Sequence, residues 1–187
     1  MKAPLPQNEA ARLEVLRQFE ILDTDPEESF DDLTRLAAYI CDTPIAVISL
    51  VDSDRQWFKS VLGLSERETS RDVSFCAHAI NQSGPFIVRD ALDDERFRNN
   101  PLVTSDPYIR FYAGSPFSTV EGFKLGTLCV IDRVPRELRT DQVAALRMLS
   151  QQVTTQLELR RDLSLLAHSL ETAKKRIKEL EGQLHSQ

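Results

Sequence analysis

Apolar positions in the first forty residues recur at helical spacing. In NEAARLEVLRQFEIL, Leu13, Leu16, Phe19 and Leu22 fall about a turn apart, the stripe of an amphipathic helix that Asn8 is placed to cap. Through DPEESFDDLTRLAAYIC, a second stripe of Phe30, Leu33, Ala37 and Ile40 predicts another helix, with Asp25, Pro26 and Glu28 as its start and Cys41 as its buried end. The period then drops to that of a strand. PIAVISLVD and RQWFKSVLG flank the turn residues Asp52, Ser53 and Asp54, which predicts a hairpin. Residues 63–73 read as polar loop, and further strands are expected at 85–90, 109–117 and 123–132, the last two joined by a turn at TVEG. Along 123–132 both faces are apolar, with Leu125, Thr127, Cys129 and Ile131 on one and Gly126, Leu128 and Val130 on the other. A strand covered on both sides fits that pattern. The polar stretch ALDDERFRNNPLVTSDPY between strands predicts a short helix and a lid-like loop.

From Thr140 to about Ser186 no proline intervenes, and the lone glycine, Gly182, comes near the end. Val143, Leu146, Leu149, Val153 and Leu157 keep ordinary helical spacing, as in a helix lying on the domain's own sheet. Beyond them, Leu159, Leu163, Leu166, Leu170, Ala173, Ile177, Leu180 and Leu184 are spaced alternately four and three apart. That is a heptad seam, with Leu163, Leu170, Ile177 and Leu184 at a and the others at d. A parallel pair sets Arg176 opposite Glu181 of the partner subunit, and places Asp162 by Ala167 and Ser169 by Lys174 without repulsion. The order of elements describes an α+β domain over 1–155 and a coiled-coil helix over 156–187 that forms a parallel homodimer through residues 159–184.

Composition narrows the function classes. The 187 residues are 41% hydrophobic and 28% charged, enough for one cored domain and an appendage. A formal charge of −6 lacks the basic footprint of a nucleic-acid binder. The start MKAPLPQNEAARLEVLR has no apolar leader and no stretch approaches a membrane span. Three scattered cysteines, Cys41, Cys76 and Cys129, are no disulfide framework and point to the cytoplasm.

Four segments, ARLEVLRQFEILDTDPEESFDDLTRLAAYICDTPIAVISLVDSDRQWFKSVLGL, RDVSFCAHAI, NPLVTSDPYIRFYAGSPF and LGTLCVIDRVPREL, resemble the bacterial GAF sensory domains at the N-terminal end of signalling proteins. The resemblance spans roughly 8–155 and departs at SPFSTVEGFKLG, where this subgroup usually has a proline-containing turn. It implies a GAF fold: a six-stranded antiparallel sheet with helices on one face and a small-molecule pocket on the other, roofed by residues 74–82 and 93–108. It further implies a mostly non-catalytic module that binds an unidentified small ligand, with cofactor unknown, and signals through its last helix to an output domain.

SFCAHAI, residues 74–80, is the stretch with most chemistry. On a helix capped by Ser74, residues two apart point about 200° apart, so Cys76 and His78 do not share a metal or form a nucleophile–base pair. No metal ligand and no catalytic residue is predicted. Cys76 reads as a small buried hydrophobe or pocket wall, and His78 as a pocket-lining or structural histidine. A second alternative is a bilin- or haem-binding GAF photoreceptor or gas sensor, but bilin-binding GAF domains typically carry a cysteine followed directly by histidine, and Ala77 intervenes here. The enzymatic alternative is free methionine sulfoxide reductase, whose cysteines gather at the pocket. Against it, Cys41 closes a helix, Cys129 lies in an apolar strand, and neither Lys nor Arg adjoins Cys76. The expected ligand-binding set is Phe75, Cys76, His78, Arg110, Tyr112 and Thr127, with Trp57 and Phe58 as aromatics that either reach the ligand or fill the core.

Overall fold

A computed structural model describes residues 2–184, with side chains through 181. Two helices, α1 (Glu9–Gln18) and α2 (Glu28–Cys41), lead into strands β1 (Ile45–Val51), β2 (Arg55–Leu62) and β3 (Glu68–Ser70). After a 3₁₀ turn come α3 (Phe75–Ala79), β4 (Phe86–Val88), α4 (Pro101–Thr104), β5 (Phe111–Ser118), β6 (Lys124–Asp132) and α5 (Thr140–Leu184). The six strands form one antiparallel sheet in the order β3-β2-β1-β6-β5-β4.

The pleat divides each central strand between two cores. Ala46, Ile48 and Leu50 of β1, with Leu128 and Val130 of β6, pack under α1, α2 and α5 against Leu16, Phe30, Ala37, Leu146 and Val153. Ile45, Val47 and Val51, with Cys129 and Ile131, turn to the opposite face and meet α3, α4 and Phe97. The long helices thus cover one face, as expected, while the short ones roof the other. Leu125 joins the helix-side core rather than the Cys129 face, next to a register shift at Phe117/Ser118 that breaks the simple alternation. Gly126 carries no side chain for a physical reason: a Cβ there would lie 1.9 Å from the Ser49 carbonyl oxygen on β1.

Local chemistry explains where elements differ from their sequence signals. The first helix ends at Gln18 because Glu20 takes a positive φ of 46°, which turns Ile21 fully into the core. Asn8 holds the N-cap position but makes no side-chain cap. The second helix begins at Glu28 after Glu27, not at Asp25. Glu27 is occupied with ion pairing. Its carboxylate accepts from the buried Lys59 ammonium at 2.7 Å and from Arg160 of α5 at 2.9 Å. Lys59 also donates to the Thr24 hydroxyl and the Asp25 carbonyl, so its burial is compensated. The polar stretch 63–73 contains β3, which pairs with β2 through Arg55, Gln56 and Trp57. Its Glu-Thr-Ser sequence gives no apolar alternation, and edge pairing alone makes it a strand.

A second buried ion cluster ties α1 to the sheet. Arg12 donates two bonds to Glu9, at 2.8 and 2.7 Å, and Arg71 donates to the same carboxylate at 2.5 Å. Burial raises the Glu9 carboxyl, and the two guanidinium groups more than reverse this, bringing it from 4.5 to about 2. A lowered folded-state pKa contributes stability in full above the ordinary value, lost as pH falls through the lowered one. Glu9→Gln is therefore expected to lower the urea midpoint at neutral pH, and to flatten the loss of stability between pH 4.5 and about 2. Urea titrations of both proteins across that range measure it, and parallel pH curves would contradict the assignment.

Candidate functional site

The face away from the long helices holds a cavity of about 120 Å³ between the sheet, α3 and the loop that carries α4. Its floor comes from alternate strand residues: Val47 of β1, Gln56 and Phe58 of β2, Tyr112 of β5, Cys129 and Ile131 of β6. Phe75 and Cys76 come down from α3. Ser74 caps that helix by accepting from the Ala77 amide at 3.0 Å, and its own hydroxyl donates to Gln56 at 2.6 Å. The roof is therefore pinned to the sheet at the capping residue. Leu102, Asp106 and Pro107 close the cavity from the 93–108 segment, and Leu64, Glu66 and Thr69 complete the wall beside β3.

An aromatic stack stiffens the back of the site. Phe75 lies flat on Phe97, centroids 4.0 Å apart, and Tyr112 follows at 5.1 Å. Tyr112 can lie along the sheet because residue 114 is glycine: a Cβ there would meet the phenol oxygen at 2.2 Å. In that pose the Tyr112 hydroxyl donates to Cys76 Sγ at 3.4 Å and stands 3.4 Å from the Thr127 hydroxyl. Cys76 Sγ is in turn 4.0 Å from Cys129 Sγ, and the Cys129 thiol donates to the Val47 carbonyl at 3.6 Å.

This polar knot sits in an otherwise apolar wall and separates the two thiols electrostatically. Burial pushes the Cys76 thiol up, but its polar contacts with Cys129, Thr127, Tyr112 and Ser49 outweigh it and hold the group below the usual thiol range. Contact with Cys76 and burial push Cys129 well up. Burial and the neighbouring thiols likewise raise Tyr112. Of the pair, Cys76 is the sulfur that carries negative charge at lower energy.

The six residues expected at the ligand site do not all meet. Phe75, Cys76 and Tyr112 line the cavity, and Thr127 is buried behind them at the Tyr112 hydroxyl. His78 is displaced: the turn of α3 that aims Cys76 at the sheet aims His78 at Phe97, edge-on at 4.9 Å, and at Phe86. It is buried outside the cavity. Arg110 does not reach it either. Its guanidinium makes a two-pronged pair with Asp90, at 2.7 and 2.5 Å, at the end of the sheet. Phe58 is on the wall while its neighbour Trp57 belongs to the opposite core, as strand alternation requires. Asp90 and Asp132 cap turns, accepting from the amides of Leu92, Arg133 and Val134. The Cys76–Cys129 contact joins residues 53 positions apart. The apolar surroundings of Cys129 are what a core residue and a pocket thiol share, so periodicity does not separate them.

Comparison with known proteins agrees with this architecture. A family model for the GAF domain matches residues 25–157. The chain belongs to the GAF family. It is 48% identical over 133 residues to a cyclic di-GMP phosphodiesterase of Pseudomonas aeruginosa, a match that takes in 71% of this chain and 23% of that protein. The chain therefore spans about a quarter of that relative's length. Among solved structures, the GAF domain of an Acinetobacter phosphoenolpyruvate-protein phosphotransferase superposes with a TM-score of 0.59 at 18% identity, covering 82% of this chain and 97% of that one. A free methionine-R-sulfoxide reductase from Neisseria meningitidis, solved with its substrate, gives a TM-score of 0.57 at 17% identity, with 87% and 98% covered. At such identities the likeness concerns the fold. The same fold is one domain of a phosphotransferase in one case and a methionine-sulfoxide reductase in the other, so the fold alone does not give its use.

The dependence of the polar knot on a missing side chain is testable. Gly114→Ala is expected to displace the Tyr112 ring and cost about 1–3 kcal/mol by overpacking. Combining it with Tyr112→Ala should recover part of that loss in a double-mutant cycle of denaturant unfolding. Additive costs would show that the two positions do not compete for the same space.

Proposed function

We propose that the chain is a non-catalytic sensory module of the cytoplasm that takes a small molecule into the cavity beneath α3 and signals through α5. The observation that carries this reading is the relation between a concave, mostly apolar site on one sheet face and a single helix that runs from the other face out of the domain. Small-molecule sites have that character, apolar with a few placed polar groups. Here Tyr112, Gln56 and Thr69 are the neutral polar groups, and both charged wall residues, Glu66 and Asp106, are acidic. The site suits a small neutral or cationic ligand. The two acidic wall residues disfavour an anionic cyclic dinucleotide, so we do not assign cyclic di-GMP to the cavity.

Output goes through α5. Ser150 and Ser115 exchange a hydrogen bond at 2.8 Å between α5 and β5, and Arg160 joins α5 to Glu27, which holds Lys59 beside the cavity residue Phe58. The last α5 residues buried by the domain are Val153 and Leu157. Beyond them the seam emerges: Leu159, Leu163, Leu166, Leu170, Ile177 and Leu180 are 44–66% exposed. Leu184 lies outside the described side chains. Each leucine stands to contribute roughly 1.5–3 kcal/mol on burial, which favours a parallel homodimer through residues 159–184. On this reading the sensory domain ends near residue 155 and the helix from 156 onward is the dimerisation and signalling element. The relative's name gives the class of output: we infer a downstream cyclic di-GMP phosphodiesterase activity that the coiled coil controls.

Two experiments bear on this. Val47→Phe fills the cavity floor, and is expected to abolish binding of whatever small molecule accompanies the wild type in native mass spectrometry, with the fold retained by circular dichroism. Retained binding places the ligand elsewhere. In sedimentation, the wild type is expected as a dimer at micromolar concentration and Leu166→Lys with Leu170→Lys as a monomer. A monomeric wild type removes the coiled-coil reading.

A further inference from the structure

Two cysteines from distant parts of the chain stand on the same cavity wall with their sulfurs 4.0 Å apart. Neither is in a disulfide. Simple hydrophobic packing leaves three features of the contact without a reason. Cys76 receives a hydrogen bond from the Tyr112 hydroxyl, an arrangement that favours a charged sulfur over a buried neutral one. The pair faces the cavity, so a small reagent reaches it without unfolding. And Cys76 rides on α3, a helix of only five residues, whereas Cys129 is fixed in a central strand paired on both sides.

We propose that Cys76 and Cys129 are a peroxide-reactive thiol pair that closes to an intramolecular disulfide, with a small hydroperoxide as oxidant. Cys76 attacks as the thiolate. Its sulfur forms a bond to the distal peroxide oxygen as the O–O bond breaks, and the leaving alkoxide or hydroxide takes up the proton released by the thiol. This yields a sulfenic acid and one molecule of alcohol or water. The Tyr112 hydroxyl, hydrogen-bonded to that sulfur, is positioned to stabilise its charge before attack. The Cys129 sulfur then displaces the sulfenic hydroxyl, which departs as water with the Cys129 proton. In sum, two thiols lose two electrons and the peroxide gains them. A cavity of about 120 Å³ has room for a molecule as small as hydrogen peroxide.

Disulfide sulfurs lie about 2.05 Å apart, so closure shortens the present sulfur–sulfur separation of 4.0 Å by roughly half. Cys41 serves as an internal reference: it is buried on the other face, in the core beneath the long helices, and burial pushes its thiol up to about 11.

The test uses the full chain, reduced, desalted and treated with equimolar hydrogen peroxide. Intact mass is expected to fall by about 2 Da, for two hydrogens lost on disulfide formation. Non-reducing peptide mapping should join the Cys76 and Cys129 peptides and leave Cys41 free. Cys129→Ser should instead gain about 16 Da, the sulfenic oxygen, at Cys76. Tyr112→Phe should slow the wild-type reaction severalfold. Because the wild-type map needs no substitution, a variant that fails to fold leaves the proposal falsifiable. A link to Cys41, a link between chains, or no reaction until urea is added would overturn it. The chemistry uses the cavity as a route of entry and requires no resident ligand. Oxidation without ligand binding would overturn the sensory reading alone, and ligand binding without oxidation would overturn the thiol pair alone.

Discussion

The central sheet is covered on both faces, and the rest of the molecule depends on that constraint. A strand buried on both sides has no solvent face, so every side chain of β1 must be apolar, small or hydrogen-bonded, and its burial is complete from Ile45 to Val51. The pleat then forces neighbouring residues into different environments. Leu128 and Val130 stabilise the three long helices, while Cys129 and Ile131 between and beyond them belong to the cavity. One strand thus serves the helix-side core and the cavity wall with alternate residues.

The same division connects the cavity wall to α5. Phe58 touches the cavity and Lys59, the next residue, points to the opposite face. There Lys59 is held by Glu27, which also holds Arg160, just past the last α5 residue that the domain buries. A buried ammonium is expensive to leave unpaired, so Glu27 is committed to it and the position of α2's start, β2 and α5 is shared. The connection is a continuous set of ion pairs and packed strands between the site and the base of the exposed seam. Ser115–Ser150 provides a second link on β5, the strand that also carries Tyr112.

On the cavity side, small residues do as much as large ones. Gly114 lets Tyr112 lie down, and Tyr112 in turn brings a hydroxyl to the Cys76 sulfur. Ser74 starts α3 at a fixed depth over the sheet by capping it and bonding Gln56. The aromatic stack of Phe97, Phe75 and Tyr112 fixes the roof laterally. His78 and Arg110, the two expected site residues that lie outside this wall, have partners of their own in aromatic contact and in the Asp90 pair.

By itself the amino-acid sequence determined the elements whose signal is periodic. The α2 stripe, the strands β1, β2, β5 and β6, the Ser74-capped helix and the heptads of α5 all follow from spacing and capping, because such patterns repeat within a single element. GAF membership was legible too, from several motifs in order. Two sorts of feature were decided by tertiary structure. The first is pairing at an edge: β3 has no apolar alternation and is a strand only because β2 offers it partners. The second is convergence of distant side chains. Helical direction separates Cys76 from His78 and is readable locally, but which of them meets the cavity depends on how α3 sits on the sheet. Likewise the meeting of Cys76 with Cys129, and of Glu27 with Lys59 and Arg160, joins residues far apart in the chain. Burial of both sheet faces brings them together, and no local pattern encodes it.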